Sequence, residues 1–356
     1  MKPYTFQKTL TDSITDISGV RVGHCSLLEG RARTGVTAII PAAGNLFRSK
    51  LIAAAHVING FGKSSGLMQV NELGCLETPI ILTNTLSVGA AWDGLVRYMM
   101  ELEPGIGRGL GSVNPVVGEC NDGSINDIRC LAVKPEHVLA ALGAASSLFL
   151  RGSVGAGTGM ICYGMKGGIG SAAYSIAFGS ETYQLGALVL SNFGKPGALL
   201  MHGQSVPEKM QKAVLAQVER LNLENDSIAG EGFKDKGSIM VVIATDAPFT
   251  HRQLARIARR AQNGIAQTGS YTGGQSGDVV IAFSTAQRIT LAEEQNESDE
   301  IVLNLKCLRE ECLDAFFEAC TLSVRDAILD SIVQATSIQT ANGMRFLSYC
   351  DLLKLK

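Results

Sequence analysis

A serine stands at position 238, with a glycine before it and the apolar run Ile239-Met240-Val241-Val242-Ile243-Ala244 after it. The run reads as a buried strand, and its approach, Glu231-Gly232-Phe233-Lys234-Asp235-Lys236, as an exposed loop. If the Gly237–Ser238 bond is cut, Ser238 gains a free α-amine beside its own hydroxyl. That amine is a base in the right place to turn a weak nucleophile into an activated one. Three further segments carry groups that such a nucleophile needs. Gly273-Gly274-Gln275-Ser276-Gly277-Asp278 opens another apolar run, and a period of two puts Ser276 and Asp278 on one face, as a hydrogen-bonded pair aimed at a nucleophile. Val189-Leu190-Ser191-Asn192 is a strand ending in an amide that can donate to a developing oxyanion. Val116 to Gly123 supplies Glu119 and Asp122 in a turn, where a carboxylate can hold a substrate ammonium. Singly, these are also ordinary strand-end and turn residues; together they point to acyl transfer.

Other chemistries find less support. The five histidines, His24, His56, His137, His202 and His251, stand in no GxSxG or HExxH context. His137 and His251 read as surface or packing residues, and no metal site or cofactor is expected. The glycine-rich stretches Gly105–Gly111 and Gly155–Gly159 lack the GK[ST] ending and the preceding strand of nucleotide loops. They read as structural loops whose N–H groups can also serve an oxyanion or a carboxylate.

The elements that must position these residues alternate strand and helix. Strands are expected at Gly19–His24, Thr34–Ile40, Ile80–Thr83 and Asp278–Thr285. Helices are expected at about 90–100, from Pro135 to about Phe149 with proline at the first position, and at 251–260 behind a Thr250/Gln253 capping box. From about Cys307 to Ala335 two helices split near Thr321-Leu322-Ser323 are expected. The loop Asn222 to Lys236 is read as an internal linker. This interleaving predicts layered α/β architecture and one domain over residues 1–356. The chain has 46% hydrophobic and 18% charged residues, net charge −2 and 40 glycines. That composition gives a large core with many tight turns and no surface suited to nucleic acid or an anionic membrane. There is no signal-peptide h-region and no run near the ~18 apolar residues of a membrane span. The nine scattered cysteines, none with CxxC spacing, read as reduced thiols of a cytoplasmic protein.

The motifs Thr83-Asn84-Thr85-Leu86-Ser87-Val88-Gly89, Gly118-Glu119, Gly155–Gly159 with Lys166–Gly170, Asn192-Phe193-Gly194, Gly237-Ser238, Thr268-Gly269-Ser270 and Ser276-Gly277-Asp278 occur in one order from Ile17 to Thr285. On these the chain resembles the DmpA/BapA-type serine aminopeptidases, the β-aminopeptidase and L-aminopeptidase/D-amidase group. The resemblance implies a four-layer αββα sandwich like that of N-terminal-nucleophile hydrolases, with distinct connectivity. It implies self-cleavage into an α chain 1–237 and a β chain 238–356 that stay together in a homo-oligomer, tetramer or larger. Ser238 would be the nucleophile, Asn192 an oxyanion donor, Ser276 and Asp278 the pair that orients and activates Ser238, and Glu119 the acidic residue near the site. The position of Asp278 is often glutamate in the family, and Asn121 stands where some members have tyrosine. The implied reaction releases N-terminal residues, β- or D-configured ones included, from short peptides, amides or esters through an acyl-enzyme. Two other readings fit the same residues: an acyltransferase or pantetheine-type amide hydrolase of this architecture, and a processing-dead binding protein.

Overall fold

A computed structural model describes residues 3–224, 236–290 and 302–355; the loop expected at 231–235 lies outside the described residues. The strands of the large sheet and its cover are, in chain order, β1 (Thr5–Lys8), β2 (Arg21–Leu27), β3 (Thr34–Ile40), β4 (Ser49–Gly60), β5 (Cys75–Leu76), β6 (Ile80–Asn84), β7 (Val116–Cys120), β8 (Ile161–Cys162), β9 (Met165–Lys166), β10 (Gly168–Phe178), β11 (Glu181–Asn192), β12 (Leu200–Met201), β13 (Gln204–Ser205), β14 (Lys236–Thr245) and β15 (Gln275–Thr290). The helices are α1 (Leu67–Leu73), α2 (Val88–Leu102), α3 (Pro135–Gly143), α4 (Glu208–Glu224), α5 (His251–Ala258), α6 (Ala261–Gln267), α7 (Leu313–Val333) and α8 (Tyr349–Leu353). One sheet has seven strands in the order β1-β10-β11-β14-β15-β4-β5, the other four in the order β2-β3-β6-β7. In the large sheet only β14 and β15 run parallel, and in the small one only β6 and β7.

The apolar runs sort themselves by the two-residue period of a strand. Along β14, Ile239, Val241 and Ile243 pack with Leu254 and Ile257 of α5, Ile265 of α6 and Phe316 and Ile328 of α7. The alternate residues Met240, Val242 and Ala244 face Ile39 of β3, Leu82 of β6 and Val116 of β7 in the core between the sheets. On the far side of the small sheet, Val36, Ala38 and Ile81 meet Leu95 and Met99 of α2 and Val138 and Ala141 of α3. The result is helices, sheet, sheet, helices: the four-layer αββα sandwich. Central strands buried on both faces explain the near-continuous apolar runs, and each fully buried Val, Ile or Leu stabilises the fold by about 1.5–3 kcal/mol.

Three expectations need correction. The C-terminal helical region is one unbroken helix, α7, running straight through Thr321-Leu322-Ser323. Thr321 Oγ1 donates back to Phe317 O at 2.9 Å and Ser323 Oγ to Leu185 O at 3.4 Å, so the hydroxyls are satisfied without breaking the helix. Helix α3 stops at Gly143 rather than Phe149, because Ser146 pairs with Val22 across an antiparallel bridge. Residues 222–224, read as the start of a linker, are the last residues of helix α4, and Lys236, read as its end, is the first of β14.

His24, on β2, makes hydrogen bonds through Nδ1 to Thr37 Oγ1 and through Nε2 to Leu150 O, both at 2.9 Å. Burial holds its imidazole neutral, down to about pKa 4, although the Leu150 carbonyl pulls the other way. The unfolded chain takes up this proton near pH 6.5 and the folded one only near 4, so stability is full above 6.5 and falls as pH drops between the two values. The slope from this one group is at most ~1.4 kcal/mol per pH unit. Urea midpoints measured from pH 7.5 to 4 are expected to fall more steeply for the native chain than for His24→Gln; equal slopes would contradict the assignment.

Candidate active site

Four strand ends meet at one edge of the sandwich. In the antiparallel pair β11/β14, Asn192 lies opposite Ser238. In the parallel pair β14/β15, Ser238 is in register with Gly277, Gly237 with Ser276, and Ile239 with Asp278. Ser238 lies on the same face as Met240, and Asn192 on the same face as Leu190. Both side chains therefore point into the space between the sheets, next to each other. Ser238 is 5% exposed and Asn192 8%.

The segment Phe61–Lys63, beyond β4, closes this space. A bulge at the end of β4, where Asn59 pairs with Asp278 but Val57 with Val279, turns the chain inward, as bulges beside functional sites do. Asn59 Nδ2 donates to Gly273 O at 2.5 Å and Phe61 N to Ser276 O at 3.2 Å. Gly62 then sits between the two sheets: a methyl built on it would lie 3.4 Å from Glu119 Oε1 and 3.7 Å from Gly277 Cα. Glu119 and Gly277, the residue in register with Ser238, thus lie on either side of Gly62. Glu119 belongs to β7, not to the turn expected from sequence. Its carboxylate is buried and held in place, with Oε1 accepting from Lys63 N at 2.8 Å and Oε2 from the Thr85 hydroxyl at the entry to α2. Each oxygen keeps a second lone pair for a ligand.

Asp122 does occupy the turn but points inward. Its Oδ1 accepts from Asn126 Nδ2 at 3.0 Å, and burial raises its carboxyl to about 6 despite hydrogen bonds from Thr34 and Asn126. It serves the fold of the turn, not the mouth of the site.

Ser276 and Asp278 share a face, as the strand period predicts, and Ser276 Oγ donates to Asp278 Oδ1 at 2.5 Å. Both are 1% exposed. That face is the one of Val280 and Ala282, toward the helices, opposite to the hydroxyl of Ser238. Register sets the pair at the backbone of residues 237–239, beside the nitrogen that cleavage would free.

Gly237 explains why the chain can enter β14 here. Its φ is +135°, and a Cβ would lie 2.1 Å from Asn192 O, so any side chain both clashes and strains the backbone.

Two features were not legible beforehand. The amide of Asn192 is fixed at both ends: Oδ1 accepts from Ile161 N and Nδ2 donates to Asn121 O, each at 2.9 Å. One N–H of Nδ2 remains for another acceptor. Lys166 lies fully buried behind Ile161. The motif Lys166–Gly170 was visible, but nothing in its spacing pointed to Asn192.

The strand ends thus place a serine beside an amide donor, with the Glu119 carboxylate on the far side of Gly62. Residues 12–346 match peptidase family S58. The chain belongs to that family. It is 35% identical to the beta-peptidyl aminopeptidase BapA of Sphingosinicella microcystinivorans, over 96% of this chain and 86% of the relative. Among solved structures it is similar to a Burkholderia sp. beta-aminopeptidase, with TM-score 0.84 and 35% identity, covering 98% of this chain and 94% of that one. It is also similar to the L-aminopeptidase D-Ala-esterase/amidase of Ochrobactrum anthropi, described as a new variant of the Ntn hydrolase fold, with TM-score 0.83 and 32% identity over 99% and 94% of the two chains. The S58 chain is therefore a serine aminopeptidase/amidase with an Ntn-hydrolase αββα sandwich, as the motif order implied. No helix among the described residues is long and apolar enough to cross a membrane.

Proposed function

We propose that the chain is made as a precursor, one unit over residues 1–356, that cuts its own Gly237–Ser238 bond into an α chain 1–237 and a β chain 238–356. Ser238 is then the nucleophile, and its own amine the base. The observation that carries this reading is the juxtaposition of Ser238 and Asn192 on one face of paired strands. A free α-amine has a pKa of about 7.7–8, so a useful fraction is unprotonated near neutrality. It takes the hydroxyl proton as Oγ attacks an amide or ester carbonyl, and Asn192 Nδ2 donates to the oxyanion. The proton passes to the leaving amine, and water resolves the acyl-enzyme by the same route. Ser276 and Asp278, at the backbone of residues 237–239, orient and activate the new amine; the shorter aspartate suffices because Ser276 extends its reach.

Glu119 gives the reaction its exopeptidase character by holding the ammonium of the residue to be released. The substrates are short peptides, amides or esters with a free N-terminal amine. The named activities of the relatives make β- and D-configured residues part of the range to be tested. By family resemblance the working form is a homo-oligomer of four or more. None of the nine cysteines is in a disulfide, which suits a cytoplasmic setting.

A charge-assisted contact is worth about 1.5–3 kcal/mol. Glu119→Gln is therefore expected to raise KM for α- and β-aminoacyl p-nitroanilides by about ten- to hundredfold. Analogues lacking the amine should bind equally poorly to both proteins. An unchanged KM for the free-amine substrates would contradict the assignment.

A further inference from the structure

Among the described residues Lys166 is the largest charged side chain with no exposure at all, and the reaction as derived does not use it. Its Nζ donates to three backbone carbonyls, Met160 O at 2.6 Å, Gly167 O at 2.9 Å and Gly157 O at 3.3 Å. Three acceptors match the three N–H groups of an ammonium, whereas a neutral amine offers only two. Burial works against that charge and draws the group down to about 7, with the buried Asp122 carboxylate acting in the opposite sense. A cation kept in the interior at such cost needs a role beyond filling space.

The nearest of its acceptors identifies that role. Met160 O and Ile161 N belong to one peptide unit. The carbonyl accepts from Lys166 at 2.6 Å, and the N–H of the same unit donates to Asn192 Oδ1 at 2.9 Å. Asn192 Nδ2 then has one N–H on Asn121 O and the other toward the space it shares with Ser238. Hydrogen bonds linked head to tail in a low-dielectric interior polarise one another. We propose that Lys166 is a positioning residue that polarises Asn192 through the Met160–Ile161 peptide, strengthening its N–H as a donor to the oxyanion. The inference rests on Asn192 being that donor.

Removing a whole oxyanion donor costs about 10²–10³ in kcat, and cooperative strengthening amounts to some 10–30% of a bond. Removing the charge while leaving the donor in place is accordingly worth about two- to sevenfold in kcat. The test is a double-mutant cycle of Lys166→Met and Asn192→Ala on full-length protein, with kcat for an aminoacyl p-nitroanilide counted per cleaved chain. Lys166→Met alone is expected to lower kcat about two- to sevenfold with KM changed less than twofold, and to have no further effect once Asn192 is alanine. An equal loss in both backgrounds would mean that Lys166 only supports the fold, and an unchanged kcat would remove the relay altogether. If Asn192→Ala alone retains wild-type kcat, the reading of Asn192 fails and the relay with it, an outcome distinct from the other two. Should Lys166→Met not accumulate as folded protein, Lys166→Gln, which keeps an N–H donor without the charge, carries the same comparison and the same outcomes.

Discussion

Ser238→Ala is expected to remain a single uncleaved chain and to show no turnover of any aminoacyl p-nitroanilide. The hydroxyl is asked to do two things, to attack the carbonyl of Gly237 in the precursor and the substrate carbonyl in the mature enzyme, and alanine does neither. The substitution removes one oxygen from a residue 5% exposed, next to a glycine at 277 and at the end of a strand. Little packing is lost, so thermal stability should stay within a few degrees of the precursor's. Loss of cleavage and activity with the fold retained separates a chemical role from a structural one. A cleaved and active Ser238→Ala protein would remove Ser238 from the mechanism.

The second large effect is at Asn192. Asn192→Ala deletes the oxyanion donor and is expected to lower kcat by about 10²–10³, or 2.7–4 kcal/mol of barrier, with a small change in KM. Alanine also leaves Ile161 N and Asn121 O without their partner, so some stability is lost as well. Asn192→Asp separates the two effects. Its carboxylate still accepts from Ile161 N but offers no N–H to the oxyanion and repels Asn121 O. Both variants should therefore be slow, with the aspartate better able to brace the loop at 160–161. Either one retaining wild-type kcat in cleaved protein would contradict the assignment.

Much of the sandwich was legible because a strand buried on both faces must be apolar throughout. Ile239 to Ala244 declares itself, and β3, β6 and β15 do so by the same rule. The places of Ser238, Asn192, Ser276 and Asp278 were legible because each is a polar residue at the end of such an apolar strand. What sequence spacing could not give was facing. Ser276 and Asp278 share a side, yet only the parallel register of β14 with β15 turns that side toward the helices and the backbone of Ser238. Glu119 looked like a turn residue because Asn121-Asp122-Gly123 follows it; pairing of β7 with β6 extends the strand through it. The break expected at Thr321-Leu322-Ser323 is absent because the hydroxyls of Thr321 and Ser323 both have acceptors in the packed helix. Lys166 could not have been linked to Asn192 by any local rule, since the link runs through the Met160–Ile161 peptide, which meets Asn192 31 residues further along the chain.

The central claim is that the bond before Ser238 is cut by the chain itself, and one measurement addresses it. Intact mass spectrometry of the purified wild-type protein, with N-terminal sequencing of the smaller fragment, should give two chains, the smaller beginning at Ser238. A single intact chain that nonetheless turns over aminoacyl amides would contradict the account.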